Sequence, residues 1–255
     1  MSAESPKNVV ERAIEILRDC DRSVALTGGG LSMASGLPDA GDSQPAGSRG
    51  ADLDYADFQR SEEARREHWS REAEAIGEVL GARPNPGHDA LARMEAAGRL
   101  VGTITQNIDG LHQTAGARTV LELGGSRRRA VCTECGADEA IEPVLERWER
   151  EQEVPRCREC SGALKPATLA GGEPLAPDIL RQAIQLTRHA DCLLALGSSL
   201  QTPLAASLVE IAREHGSRVV VVTRSSTPFD SLADVKLDEP VARCLPTIVD
   251  GALGS

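Results

Sequence analysis

"VALTGGGLSMASGLPD", residues 24–39, runs from an apolar stretch into three glycines and then toward a short helix. An apolar strand that ends in glycine and opens a helix is how an open α/β sheet builds its ligand crevice. Bare backbone N–H groups at such a turn can approach phosphate oxygens, and a helix N-terminus favours negative charge. Gly28 and Gly30 fit the first two glycines of the pattern GxGxxG, but position 33 is Met33, and no lysine follows as in a Walker loop. Taken alone, the cluster is equally well explained by a tight turn.

The neighbouring segments bear on that choice. Downstream, "LVGTIT" (100–105), "TVLEL" (119–123), "CLLALG" (192–197), "RVVVVT" (218–223) and the short "VKLD" (235–238) are continuous apolar runs. Such runs are expected of parallel strands covered on both faces. Helical spacing appears in "NVVERAIEILRDC" (8–20), "HDALARMEAAG", "APDILRQAIQLTRHA" and "PLAASLVEIAREHG". Alternating strands and helices predict an α/β fold with a Rossmann-like, doubly wound parallel sheet. Polar residues follow several strands: Gln106, Asn107 and Asp109 after one, Gly197, Ser198 and Ser199 after another, Thr223 and Arg224 after a third. Any one of these could cap a loop. Together at the carboxyl ends of parallel strands they predict a nucleotide site.

Two stretches break the alternation. Residues 40–60 are rich in Gly, Ser, Ala and Asp and lead into the polar helix "SEEARREHWSREAEAIGEVL". Residues 129–167 carry Cys132-x-x-Cys135 and Cys157-x-x-Cys160, 21 residues apart. Doubled CxxC knuckles suit one tetrahedral Zn²⁺ with four thiolates, a closed and therefore structural site; the competing reading is a pair of disulfides or four unrelated buried thiols. Cys20, Cys192 and Cys244 read as core residues, and Arg127, Arg128 and Arg129 as a solvated run entering the cysteine module. His68, His189 and His215 read as solvent-facing.

With 255 residues, 40% hydrophobic and 26% charged, the chain is ordinary globular material. Its net charge of −11 argues against a nucleic-acid binder, which must neutralise phosphates. No run approaches the roughly 18 apolar residues of a membrane span. "MSAESPKNVVERAIEIL" lacks a charged segment followed by an apolar core, which predicts a cytoplasmic protein.

At this point the chain resembles the sirtuin family of NAD-dependent protein-lysine deacylases, from Val24 to about Val249. The resemblance is carried in order by "TGGGLSMASGLPD", "PNPGHDALARME", "TQNIDGLHQTAG", the double CxxC, "GSSLQTP", "TRSSTPFD" and "LPTIV". It implies NAD⁺ as cofactor, one structural Zn²⁺, and NAD⁺ or ADP-ribose together with an acylated protein or peptide as partners. It places Gly28, Gly29, Gly30, Ser198 and Ser199, with Gly197, at the phosphates. Gln106, Asn107, Ile108 and Asp109 fall at the nicotinamide, with Asp39 nearby; Thr223 falls at the adenosine ribose and Val241 near the adenine. The division it suggests is a Rossmann-like NAD-binding domain of residues 1–40, 89–128 and 164–255, a loop and helical insert of 41–88, and a zinc ribbon of 129–163.

The chain also departs from that family. The family's general base is a histidine in Glu-Leu-His-Gly, where this chain reads Glu122, Leu123, Gly124, Gly125. The family's Phe-Arg after Pro-Asp becomes Ala40 and Gly41, and its Phe-Gly-Glu, whose Phe the resemblance implies to pack against the acyl-lysine, becomes Gly171, Gly172, Glu173. Each change is large to small, which predicts a wider pocket with no imidazole and weak or lost deacylation. Two other outcomes follow from the same losses: a non-catalytic NAD⁺ or ADP-ribose sensor or scaffold, and an NAD⁺ glycohydrolase or ADP-ribosyltransferase. Asn107 and Asp109 are retained.

Overall fold

The computed structural model describes residues 6–38 and 55–254. Its strands are β1 (Ser23–Thr27), β2 (Leu100–Thr105), β3 (Val120–Glu122), β4 (Gly125–Cys132), β5 (Asp138–Ala140), β6 (Leu164–Thr168), β7 (Cys192–Leu196), β8 (Arg218–Val222) and β9 (Val235–Leu237). Its helices are α1 (Pro6–Asp19), α2 (Gly29–Ser32), α3 (Tyr55–Arg60), α4 (Glu62–Gly81), α5 (Pro86–Ala96), α6 (Leu111–Thr114), α7 (Ile141–Glu151), α8 (Pro177–Arg188), α9 (Pro203–Glu214) and α10 (Val241–Leu253).

Six strands form one parallel sheet in the order β3-β2-β1-β7-β8-β9. The chain winds outward on one side of β1, then returns to β7 on the other, so the reversal lies between β1 and β7. That reversal is where open α/β sheets bind ligands. Period-two alternation explains why the strands read as unbroken apolar runs. Ala25, Leu194, Leu196, Val220 and Val222 face α1, α5 and α10 in one core, while Val24, Leu26, Leu193, Val219 and Val221 face α8 and α9 in the other. Cys20, Cys192 and Cys244 are buried in the first core, as their apolar surroundings predict.

The second sheet, β5-β4-β6, is antiparallel. It begins at Gly125 and ends at Thr168, so residues 125–128 and 164–168 lie in the small sheet rather than the large one. A third core joins it to α3, α4 and α7 through Phe58, Trp69, Ile76, Ile141, Val144, Trp148 and Leu164. Trp69 stacks on Trp148 and donates its indole N–H to Leu164 O at 2.8 Å.

Two readings of the sequence are corrected here. Arg127–Arg129 are not a solvated run. The β4–β6 register shifts between Ser126 and Ala130, and this irregularity turns the side chains off the ladder. Arg127 is buried and bidentate on Glu72 of α4, at 2.9 and 3.0 Å. Arg128 donates to Asp109 O at 2.6 Å and Val79 O at 3.1 Å; only Arg129 is exposed, paired with Asp138. His68 is half-buried rather than solvent-facing, edge-on to Phe58 at 5.2 Å, and burial lowers its pKa. His189 and His215 are exposed, as read.

Candidate active site

The glycines come first, because they set how closely two loops can meet. Gly28 N–H donates to Leu196 O at 3.0 Å, and Gly30 N–H donates to Gly197 O at 2.9 Å. A Cβ on Gly28 would lie 2.8 Å from Gly197 O, and one on Gly30 2.9 Å from the same oxygen. Gly197 itself has φ +63, and its Cβ would overlap Leu31 N. The loops after β1 and β7 therefore touch backbone to backbone at the strand-order reversal. The Gly28 and Gly30 amides serve this contact rather than standing bare for an anion. Gly29 is the first residue of α2.

Side chains from four loops converge beside that contact. Asn107 donates to Gly28 O at 3.1 Å and Ser32 Oγ at 3.0 Å; Ser32 donates to Asp109 Oδ2 at 2.7 Å. Asp109 Oδ1 accepts from Leu111 N at 2.9 Å, so both carboxylate oxygens are engaged in a buried position. Gln106 donates to Thr202 Oγ1 at 3.1 Å and accepts from Ser198 Oγ at 2.8 Å. Ile108 is buried, and its carbonyl accepts from Arg127 N at 2.8 Å. Ser199 is half-buried on the same turn as Ser198. Thr223, at the end of β8, is buried and accepts from Ser225 N at 3.3 Å. Val241 opens α10, and its side chain is spent in the core, which leaves only its backbone for the crevice. Asp39, Ala40 and Gly41 lie outside the described residues.

Beneath these groups sits a network around His112, which reads from the sequence as a loop-holding histidine, and His88, which reads as a residue at a helix start. Thr27 Oγ1 donates to Thr105 Oγ1 at 2.8 Å and lies 2.9 Å from His112 Nε2. With the Thr27 hydrogen turned to Thr105, His112 Nε2 is the donor and Nδ1 the acceptor. His88 accepts from Asn85 N at Nδ1 (3.3 Å), which leaves Nε2–H. Among the described residues, His88 Nε2 and His112 Nδ1 are both buried without a hydrogen-bond partner, and the rings lie 5.0 Å apart edge to face. Burial, aided by His88, holds the His112 pKa down at about 3, so this ring is neutral and is committed to the end of β1. Ser32, Thr27 and Thr105 carried no signal in a single sequence, because their partners lie 75 or more residues away in the chain.

Gly124 is buried in the turn between β3 and β4, and its carbonyl accepts from Leu169 N at 3.0 Å. Gly124 is absent from the glycines with positive φ, whereas Gly125 has φ +76 and a Cβ there would overlap Ala167 O. The second glycine is required by the backbone conformation. Burial pushes the pKa of the nearby Glu122 carboxyl up. Across from Gly124, residues 168–173 form a closed loop. Lys165 Nζ donates to Thr168 O at 2.7 Å and pairs with Glu173 at 3.0 Å, and Glu173 accepts from Ala170 N at 3.0 Å.

The four cysteines meet at the far end of the small sheet, all four sulfurs within 4.8 Å of one another. Sγ–Sγ is 3.4 Å for Cys132–Cys160 and 3.7 Å for Cys135–Cys157. A tetrahedral Zn²⁺ with bonds of about 2.3 Å puts its sulfurs about 3.8 Å apart, so the donor set fits one closed, structural zinc. Amides of Glu134, Glu159 and Gly162 donate to the sulfurs at 3.4 Å.

A doubly wound sheet, a polar crevice at its reversal point and a four-cysteine module define an α/β nucleotide-binding protein that carries a structural metal. The particular family follows from comparison: the Sir2 family profile matches residues 28–203, and the chain belongs to that family. The "NAD-dependent protein deacetylase 2" of Streptomyces coelicolor is 40% identical over 232 residues, covering 89% of this chain and 95% of that protein. The "NAD-dependent protein deacetylase" of Haloarcula marismortui is 38% identical and covers 94% of each. Among solved structures, one described as "Sir2 bound to acetylated peptide" superposes with a TM-score of 0.84 at 32% identity, covering 96% of this chain and 99% of that one. A second, "Sir2-p53 peptide-NAD+", gives 0.83 at 33% identity, with 95% and 98% covered.

Proposed function

We propose that this chain binds NAD⁺ in the crevice at the β1/β7 reversal and is an NAD-dependent protein deacylase whose acyl transfer is slow. The cofactor reading is supported by the residues that remain: the backbone contact of Gly28, Gly30 and Gly197, and the network of Ser32, Asn107 and Asp109. NAD⁺ supplies a glycosidic bond from which nicotinamide departs and a ribose carbon that accepts the acyl oxygen. The chain's own contribution is to bind and orient. Asn107 and Asp109, fixed by Ser32 and the Leu111 amide, present a rigid polar wall at the nicotinamide end. Gln106, Ser198 and Thr202 brace the adjoining loops.

The observation that carries the slow-turnover reading is Gly124 in place of the base. Loss of a general base costs about 10²–10⁴ in rate. The other histidines do not replace it: His112 is neutral and bonded at Thr27, and His88 is buried behind it.

The test is release of nicotinamide from NAD⁺ with and without an acyl-lysine peptide, with calorimetry for NAD⁺ binding alongside. Peptide-dependent release at a low rate is the expected result. Release without peptide would make the chain a glycohydrolase, and binding without release would make it a sensor. No helix among the described residues is long and apolar enough to cross a membrane.

A further inference from the structure

The chain has five aromatic side chains, two Phe, two Trp and one Tyr. Four are spent in cores: Phe58, Trp69 and Trp148 in the small-sheet core, and Phe229 under the large sheet. The fifth, Tyr55, is half-exposed. It opens α3, its N–H donates to Gly171 O at 3.1 Å, and its ring lies 5.8 Å from Lys165 Nζ. Gly171 is the residue at which the family resemblance implies a phenylalanine packed against the acyl-lysine. The ring missing at 171 is thus matched by a ring held at the same loop from a different element.

We infer that Tyr55 is the aromatic wall of the acyl-lysine slot and determines which acyl group it accepts; this rests on the deacylase reading above. The backbone bond to Gly171 anchors the residue at this loop, and the ring itself lies against Lys165, which is buried and fixed on Thr168 O. Lys165 is neutralised by Glu173 at 3.0 Å, so the wall has no net charge to attract an acidic acyl group. Gly171 brings no side chain to the slot. The slot therefore takes neutral acyl chains longer than acetyl and rejects succinyl. Tyr55 contacts the acyl chain and takes no part in proton transfer.

Because Tyr55 is the only tyrosine, ring-¹³C-tyrosine labelling of the full zinc-loaded chain gives the signal of one residue. Titration with a butyryl-lysine peptide is expected to move that signal, and the unacylated and succinyl-lysine peptides are expected to leave it in place. Tyr55→Ala is expected to weaken butyryl-peptide binding by about tenfold, the worth of one good aromatic contact, while Tyr55→Phe retains it. NAD⁺ binding by Tyr55→Ala, measured by calorimetry, should match the unmodified chain and reports an intact fold. A butyryl peptide that binds without moving the Tyr55 signal, or that binds Tyr55→Ala undiminished, overturns the inference and leaves the deacylase reading standing. If no acyl peptide binds a chain that does bind NAD⁺, the deacylase reading falls and this inference falls with it.

Discussion

Gly124 and Gly125 are adjacent and chemically identical, yet the structure uses them differently. Gly125 sits at φ +76 with Ala167 O where a Cβ would be, so Gly125→Ala combines backbone strain with a main-chain clash. It should cost about 3 kcal/mol, read as a lowered denaturation midpoint. Gly124 lacks the positive φ, so Gly124→His should lose less of the midpoint than Gly125→Ala. With Tyr55 holding the acyl chain, it should raise peptide-dependent nicotinamide release about 10²-fold. A Gly124→His chain that folds and stays slow would mean that positioning, not the base, limits the rate. His112 makes a second prediction at this scale. Its pKa in the folded chain, about 3, lies below the ordinary 6.5. Between those values the unfolded chain binds a proton that the folded chain refuses, so stability should fall as pH drops through that window. His88, also lowered by burial, adds to the same slope. His112→Phe should flatten the dependence in denaturation curves recorded from pH 7.5 down to pH 4.

Among the elements, β4 shows best where sequence reasoning reaches its limit. Strands of the large sheet were legible because burial on both faces makes them uninterrupted apolar runs, and the helices between them carried ordinary amphipathic spacing. The strand β4 is "GSRRRAVC": its three arginines look solvated until the register shift is seen to aim two of them inward. The helix α10 went unread because Pro240 and Pro246 punctuate it, although Pro240 only caps it and Pro246 lies inside it. The gathering of polar groups was legible where they follow strand ends, at Gly28, Gln106, Asn107, Asp109 and Ser198. It was illegible where it depends on pairs such as Ser32–Asp109 or Thr27–His112, which meet only after folding. Tyr55 belongs to the same category. The Arg127–Glu72 pair gives the test at this scale. Both side chains are 9% exposed, so Glu72→Leu alone strands a guanidinium in the core and should cost about 3–5 kcal/mol. Adding Arg127→Met removes the stranded charge and should restore most of that loss. A double variant no more stable than the single one would show that the pair stabilises by more than mutual neutralisation.

At the scale of the molecule, the crevice depends on a module that cannot stand by its core alone. The small sheet has three short strands, and its core includes two of the metal-binding thiols, Cys132 and Cys157. Without the ion, nothing bonds the four cysteine sulfurs to one another, and that loss falls on β4 and β6, which carry or flank them. Those strands hold one wall of the site, because Gly124 O binds Leu169 N and Arg128 binds Asp109 O. The large sheet has no such dependence: two cores cover its faces and neither contains Cys132, Cys135, Cys157 or Cys160. Zinc removal should therefore divide the molecule. A chelator strong enough to strip a site whose binding energy is on the order of 10 kcal/mol should raise amide exchange across β4, β5, β6 and α7. Protection in β1, β2, β7 and β8 should persist. Peptide-dependent nicotinamide release should vanish with the metal, while NAD⁺ affinity should fall less, since Gly28, Gly30, Gly197 and Ser198 all stand on the large sheet. Uniform loss of protection across both sheets would mean that the contacts of β4 with the loop after β2, Arg127 N–H to Ile108 O and Arg128 to Asp109 O, couple the halves into one cooperative unit. Equal loss of peptide turnover and NAD⁺ binding would point the same way.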